Sequence, residues 1–271
     1  MKSSKERSVD LMLIDTVENL GLSGKALKGL NILLASDELQ AMQEYANTVS
    51  IVRLGYNDHG PVHMRKVTYN AVVMLELLKK SGIKTSLEKD GCGDFEDSLL
   101  AVILGAICHD LGMGMGRQNH EQHSIILAQP IIENLLDRIY NDDWNKKAMV
   151  RAAAMEGIAG HMGTISICSV EAGIVQIADG CDMTKGRARI PITLHGPLKT
   201  GQIHQYSANS IEDVNIKAGS EKPIRIDVKM SSEVGLFQVE EVLMHKIANS
   251  TAKQYIELYA QVGDTQVKRY L

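Results

Sequence analysis

His109 and Asp110 follow directly on "LLAVILGAIC" at 99–108. A helix that is apolar on every side is buried, so this one ends by setting an imidazole and a carboxylate at the edge of a core. Burying polar groups is costly unless something satisfies them. A capping aspartate beside a satisfied core histidine would do so. A metal ion would also do so, because imidazole and carboxylate are ligands for transition metals.

Further candidate ligands are spread along the chain. His63 stands in "PVHMRKV", with His59 four residues earlier. His120 and His123 share one helix face in "NHEQHS". His161 ends "AMEGIAGH", and Asp179 follows the apolar run of "VQIADGCD", with Asp182 close behind it. Taken singly, each reads as a core histidine or a helix cap. Taken together, helix after helix brings His or Asp to the edge of an apolar segment. A mixed His/carboxylate cluster is how helical proteins hold catalytic transition metals. Bound metal lowers the pKa of water toward ~7 and suits hydrolysis.

The elements that must carry these groups are mostly helical. Ser36 caps "DELQAMQEYANTVSIVRLGY", and acids occupy its first turn. Pro61 suits the first turn of the next helix and Gly82 its end. "IKTSLEKDGCGD" reads as a loop, and "GMGMGRQ" as a turn after the buried helix at about 95–110. "NHEQHSIILAQPIIENLLDRIY" is helical, bent or interrupted at Pro130. Two more helices follow, the second capped by Ser169.

Beyond about 190 the texture changes. "IEDVNIKA" and "KPIRIDVKM" alternate with period two and read as strands. A helical stretch and a third strand, "QYIELYAQV", complete a small α+β module, ferredoxin-like in its order of elements. The expected division is an N-terminal extension at 1–35, a helical metal-binding domain at 36–195 and the module at 206–271. The module holds none of the candidate ligands. It is expected to serve assembly or regulation and to stand apart from the chemistry. Its exposed strand edges could pair two chains, so a homodimer is expected.

Composition narrows the class. The chain has 271 residues, 44% of them hydrophobic and 4% aromatic, with 13 methionines. Such a core is aliphatic. A net charge of −4 offers neither a nucleic-acid coat nor a polybasic membrane patch. The N-terminus does not read as a signal peptide, and no segment reads as a membrane span. The four cysteines show no C-x-x-C spacing, which fits a cytoplasmic protein.

"HMRKV" at 63–67, "HD" at 109–110, "HEQHS" at 120–124, "GH" at 160–161 and "ADGCD" at 178–182 together resemble the HD superfamily of metal-dependent phosphohydrolases. The resemblance covers about 55–190 and implies a mainly α, HD-type helical bundle. It implies core metal ligands at His63, His109, Asp110 and Asp179. It further implies that His120 and His161 hold a second metal, with Asp110 bridging. His123 competes with His120, which better fits the family's spacing. Manganese or iron is the expected metal, with zinc, nickel, cobalt or magnesium as alternatives. Met113 stands where cyclic-dinucleotide phosphodiesterases often carry lysine, and Met162 where they carry a second histidine. Both departures argue against that substrate.

The function expected is hydrolysis of a small phosphorylated substrate, a nucleotide or other phosphoester. Asp110 is expected at the reacting centre. Arg187 in "KGRAR", flanked by Lys185 and Arg189, is expected to grip phosphate, with Lys66 and Arg117 as further candidates. A di-iron oxygenase and a ligand-sensing regulatory protein are the alternatives.

Overall fold

The computed structural model describes residues 2–185 and 203–271. Arg187, Arg189 and His195 lie outside the described residues, as do the side chains of 203–205.

The stretch 1–35, expected as an N-terminal extension, forms two helices: α1 (Ser4–Glu18) and α2 (Lys25–Leu34). A capping box between Ser3 and Glu6 starts α1. Val9, Leu13 and Val17 are buried in the main hydrophobic core, so these helices are packed with the body. Then come α3 (Asp37–Thr48), a π-type continuation at Val49–Arg53, and α4 (Pro61–Lys80). Ser36 caps α3 and Pro61 opens α4, as their positions predict. The expected loop at 83–94 contains one short helix, α5 (Ser86–Lys89).

α6 (Phe95–Cys108) is the axis of the body, and every one of its residues is buried. α2, α4, α8 (Trp144–Gly160) and α9 (Val170–Cys181) surround it. This enclosure explains the unbroken apolar run at 99–108. Phe95–Gly114 is apolar and long enough to cross a membrane, yet nearly all of it is buried within the protein. α7 (His120–Tyr140) runs unbroken through Pro130. The proline faces solvent.

After α10 (Ile203–Ser210) the small α+β module begins. β1 (Ile211–Ala218) and β2 (Ile224–Met230) form an antiparallel hairpin, with Val214 opposite Val228. A π-type segment (Gln238–Leu243) continues into α11 (Met244–Ala248) and crosses over to β3 (Ile256–Val262). β3 pairs parallel with β2, and β4 (Lys268–Arg269) closes the order β1-β2-β3-β4. The module keeps the expected strand–strand–helix–strand order of elements, and its strands stand in chain order across the sheet. Ile224, Ile226, Val228 and Met230 are buried on one face of β2, as period two requires. The protein is thus mainly α, with a small α+β module at its C-terminal end.

Candidate metal centre

His109 and His161 are the C-cap residues of α6 and α8. The last carbonyls of a helix lack an intrahelical partner. Each histidine uses one: Nδ1 of His109 donates to the Ala106 carbonyl at 2.7 Å, and Nδ1 of His161 to the Ile158 carbonyl at 2.7 Å. The two rings are thereby locked with Nε2 pointing away from their helices. His120, at the start of α7, turns Nδ1 to the Arg117 carbonyl at 3.0 Å. His63, on the first turns of α4, turns Nδ1 to Asp182 Oδ2 at 2.8 Å. A metal-ligating histidine is normally oriented by such a partner on its other nitrogen.

The four Nε2 atoms converge on two carboxylates in two groups. In one, Nε2 of His63 lies 3.2 Å from Nε2 of His109, 3.3 Å from Asp110 Oδ2 and 3.2 Å from Asp179 Oδ1. In the other, Nε2 of His120 lies 3.0 Å from Nε2 of His161 and 3.3 Å from Asp110 Oδ1. Ligands held at about 2.0–2.1 Å from one ion stand about 2.8–3.0 Å apart across an octahedral edge and about 3.3–3.4 Å across a tetrahedral one. The spacing therefore fits a metal. His63, His109, Asp110, His161 and Asp179 are buried in groups that could hold an ion, and His59 joins through Nδ1, 2.6 Å from Asp110 Oδ2.

Electrostatics tie the cluster together. Burial alone would push the His109 imidazole down, but the Asp110 and Asp179 carboxylates outweigh it and hold the ring up at about 9. Burial dominates at His161, which falls to about 4. Burial would raise Asp110 and Asp179, yet nearby cations hold both well below the usual carboxylate range. The main ones are His109 and His59 for Asp110, and Lys246 for Asp179.

His120 enters the cluster. His123, three residues on, is absent from it and its Nδ1 has no partner among the described residues. Lys66 does not reach the converging atoms; its Nζ lies 3.2 Å from Asp182 Oδ1, behind His63. Met113 is buried in the core, whereas Met162 lines a cleft of about 560 Å³ above the cluster. Asp110, His161, Asp179, His59 and Arg117 also face that cleft, with Leu54 and Tyr56 on its wall.

The opposite wall belongs to the C-terminal module. Gln238, Val242, His245 and Lys246 line it. The buried Lys246 donates from Nζ to Asp179 Oδ2 and, at 2.7 Å, to the His161 carbonyl. This corrects the expectation that the tail stands apart from the site. A signal was present in the sequence: Val239, Leu243 and Ile247 form an apolar helical stripe, and Lys246 falls on the same face. A lysine on a buried face needs an acidic partner.

Comparison with known proteins finds a relative over most of the chain. The chain is 44% identical over 230 residues to "Uncharacterized protein MJ1020" of Methanocaldococcus jannaschii, covering 85% of this chain and 86% of that protein. The chain belongs to the same family as MJ1020. No family model and no solved structure matches it. The shared length spans more than the helical body alone can supply: α1 to α9 end at Cys181. The likeness to MJ1020 therefore extends beyond a ligand motif to most of the chain.

Proposed function

We propose that this protein is an HD-type metal-dependent phosphohydrolase acting on a small phosphoester. The observation that carries the reading is the position of Asp110. Its Oδ2 faces His63 and His109, its Oδ1 faces His120 and His161, and it lies on the floor of the cleft. His63, His109, Asp179 and Asp110 would hold one ion; His120, His161 and Asp110 would hold a second. Bound there, the ions would supply a water of lowered pKa and Lewis acidity toward a phosphoryl oxygen.

The chain's own residues do the rest. Arg117 lines the cleft, and its guanidinium makes a weak contact to Met162 Sδ at 3.7 Å. Its guanidinium would take the non-bridging phosphoryl oxygens, which it matches in shape. His59, held through Nδ1 against Asp110 Oδ2, would in its protonated form give a proton to the leaving oxygen. Leu54, Tyr56 and Val242 would cover the organic part of the substrate and exclude water. A cleft of this size takes one small ligand.

The test is a panel of phosphomonoesters and phosphodiesters, nucleotides included, on protein reloaded with Mn²⁺ or Fe²⁺. Phosphate or ester release by the wild-type chain, absent in Asp110→Ala, is expected. Fully loaded protein that cleaves none of them, or consumes oxygen with a phosphate-free substrate, would replace this reading with another.

A further inference from the structure

Asp179 divides its two oxygens between two partners. Oδ1 lies 3.2 Å from His63 Nε2 and 3.7 Å from His109 Nε2, while Oδ2 accepts from Lys246. Lys246 is remote in sequence and belongs to the C-terminal module. Its contact with Asp179 is built rather than incidental, and α9 shows how.

α9 carries Asp179 toward the histidines and presents two glycines, Gly173 and Gly180, to the module. A Cβ on Gly180 would come within 3.1 Å of Leu243 Cδ1 and of Lys246 Cδ. A Cβ on Gly173 would collide with Thr251 Oγ1 at 2.4 Å and Ser250 Oγ at 2.6 Å. Hydrogen bonds lock the same face. Gln176 Nε2 donates to the Lys246 carbonyl at 3.0 Å, Ser250 Oγ to the Gly173 carbonyl at 3.0 Å, and Thr251 Oγ1 to the Ser169 carbonyl at 2.6 Å. Gly173, Gln176 and Gly180 recur at helical spacing, so they form one stripe. The module helix can therefore approach closely enough for a lysine stem to reach past α9 into the cluster.

A buried carboxylate is costly unless a cation compensates it. We propose that Lys246 is an internal counter-cation for Asp179: it supplies the positive charge the carboxylate needs before a metal arrives, keeps the other oxygen aimed at His63 and His109, and competes with the metal for that one negative charge. The inference rests on the metal-binding reading of the cluster. Lys246 is a positioning residue here and acts through Asp179. An ion on Oδ1 and an ammonium on Oδ2 share a single carboxylate and repel each other. The lysine thus stabilises the metal-free chain and weakens metal binding at the His63–His109 side. It also makes the module part of the centre, since removing the module would uncover Asp179.

The experiment uses the full chain as wild type, Lys246→Met, Asp179→Asn and the double variant, each stripped of metal and melted with and without saturating Mn²⁺. Methionine keeps most of the apolar stem and removes the charge. Metal-free Lys246→Met should melt lower than wild type, and Mn²⁺ should raise its melting temperature by more than it raises that of wild type. In titration it should bind Mn²⁺ more tightly, by about tenfold, an ordinary coupling between linked sites. A lysine that merely packs would lower both melting temperatures equally. Equal Mn²⁺ increments, or weaker Mn²⁺ binding by the variant, would overturn the proposal. Should Lys246→Met fail to fold without metal, the double variant should fold, because the orphaned charge is gone; failure to recover would also overturn it. A wild-type chain that takes up no Mn²⁺ would end the metal reading and the competition with it. The four metal-free chains would still decide the Lys246–Asp179 pairing separately.

Discussion

His120 and His161 face each other through Nε2 at 3.0 Å, although Nδ1 of each ring is already turned onto a backbone carbonyl. A neutral imidazole has one N–H to give. Here both are spent on the carbonyls, so two lone pairs meet in a buried place. Only a cation between or beside them, a proton or a metal, relieves that contact.

Metal should therefore compete with protons. Without metal the His109 ring is held up at about 9. The form that binds metal is neutral, so binding at pH 7.5 must displace its proton. Affinity should rise by about tenfold per pH unit below 9 from this group alone. Calorimetry in buffers of differing ionisation enthalpy should show proton release. A profile flat between pH 6.5 and 8.5 would refute the assignment of His109 as a ligand.

Occupancy should divide along the two oxygens of Asp110. Asp110→Ala should lose both ions, because each oxygen faces one group. His120→Ala should lose one and keep the ion among His63, His109 and Asp179. Elemental analysis after Mn²⁺ loading distinguishes these. Equal loss in both variants would mean one ion, not two.

The orientation of His63 depends on Asp182, whose Oδ2 accepts from Nδ1 at 2.8 Å. Asp182→Ala frees the ring to turn and leaves the helical body in place. Metal affinity should fall by about 10–100-fold, as for other outer partners of metal-binding histidines. The circular dichroism spectrum should stay unchanged. Unchanged affinity would mean that packing alone holds the ring.

Gly112 allows the turn after Asp110 to lie against the start of α7. A Cβ there would stand 2.0 Å from the His120 carbonyl oxygen and 2.6 Å from the Ser124 nitrogen, both backbone atoms that cannot swing aside. Gly112→Ala should cost about 1–3 kcal/mol or more and displace His120. Urea unfolding measures the first effect and metal content the second. A variant with wild-type stability and full metal content would show that the turn has room that these contacts deny.

Much of the centre was legible in the sequence, and for a local reason. His63, His109, Asp110, His120, His161 and Asp179 all sit where an apolar helical run meets a polar group. That juxtaposition is written within a few residues and needs no knowledge of the chain path. Ser36, Pro61 and Ser169 marked their helix starts by the same local chemistry, and period two marked β1 and β2. α1 was obscure because charged Glu6 and Asp10 share its buried face with Val9, Leu13 and Val17, whereas α2 does carry a regular buried stripe at Ala26, Leu30, Leu33 and Leu34.

Tertiary structure alone decided the relations across long separations. Residue types cannot say that Asp110 turns one oxygen to each pair of histidines. That depends on how α6, α7 and α8 are packed. Lys66 looked like a phosphate ligand by charge, but folding set it on Asp182. Lys246 looked like one more residue of a separate module. Its ammonium meets Asp179 across 67 residues of sequence, because Gly173 and Gly180 on α9 let the module helix come close. Local pattern reports which side of an element is buried. What it is buried against is decided by the chain's path through space, and in this protein that path brought Lys246 to Asp179.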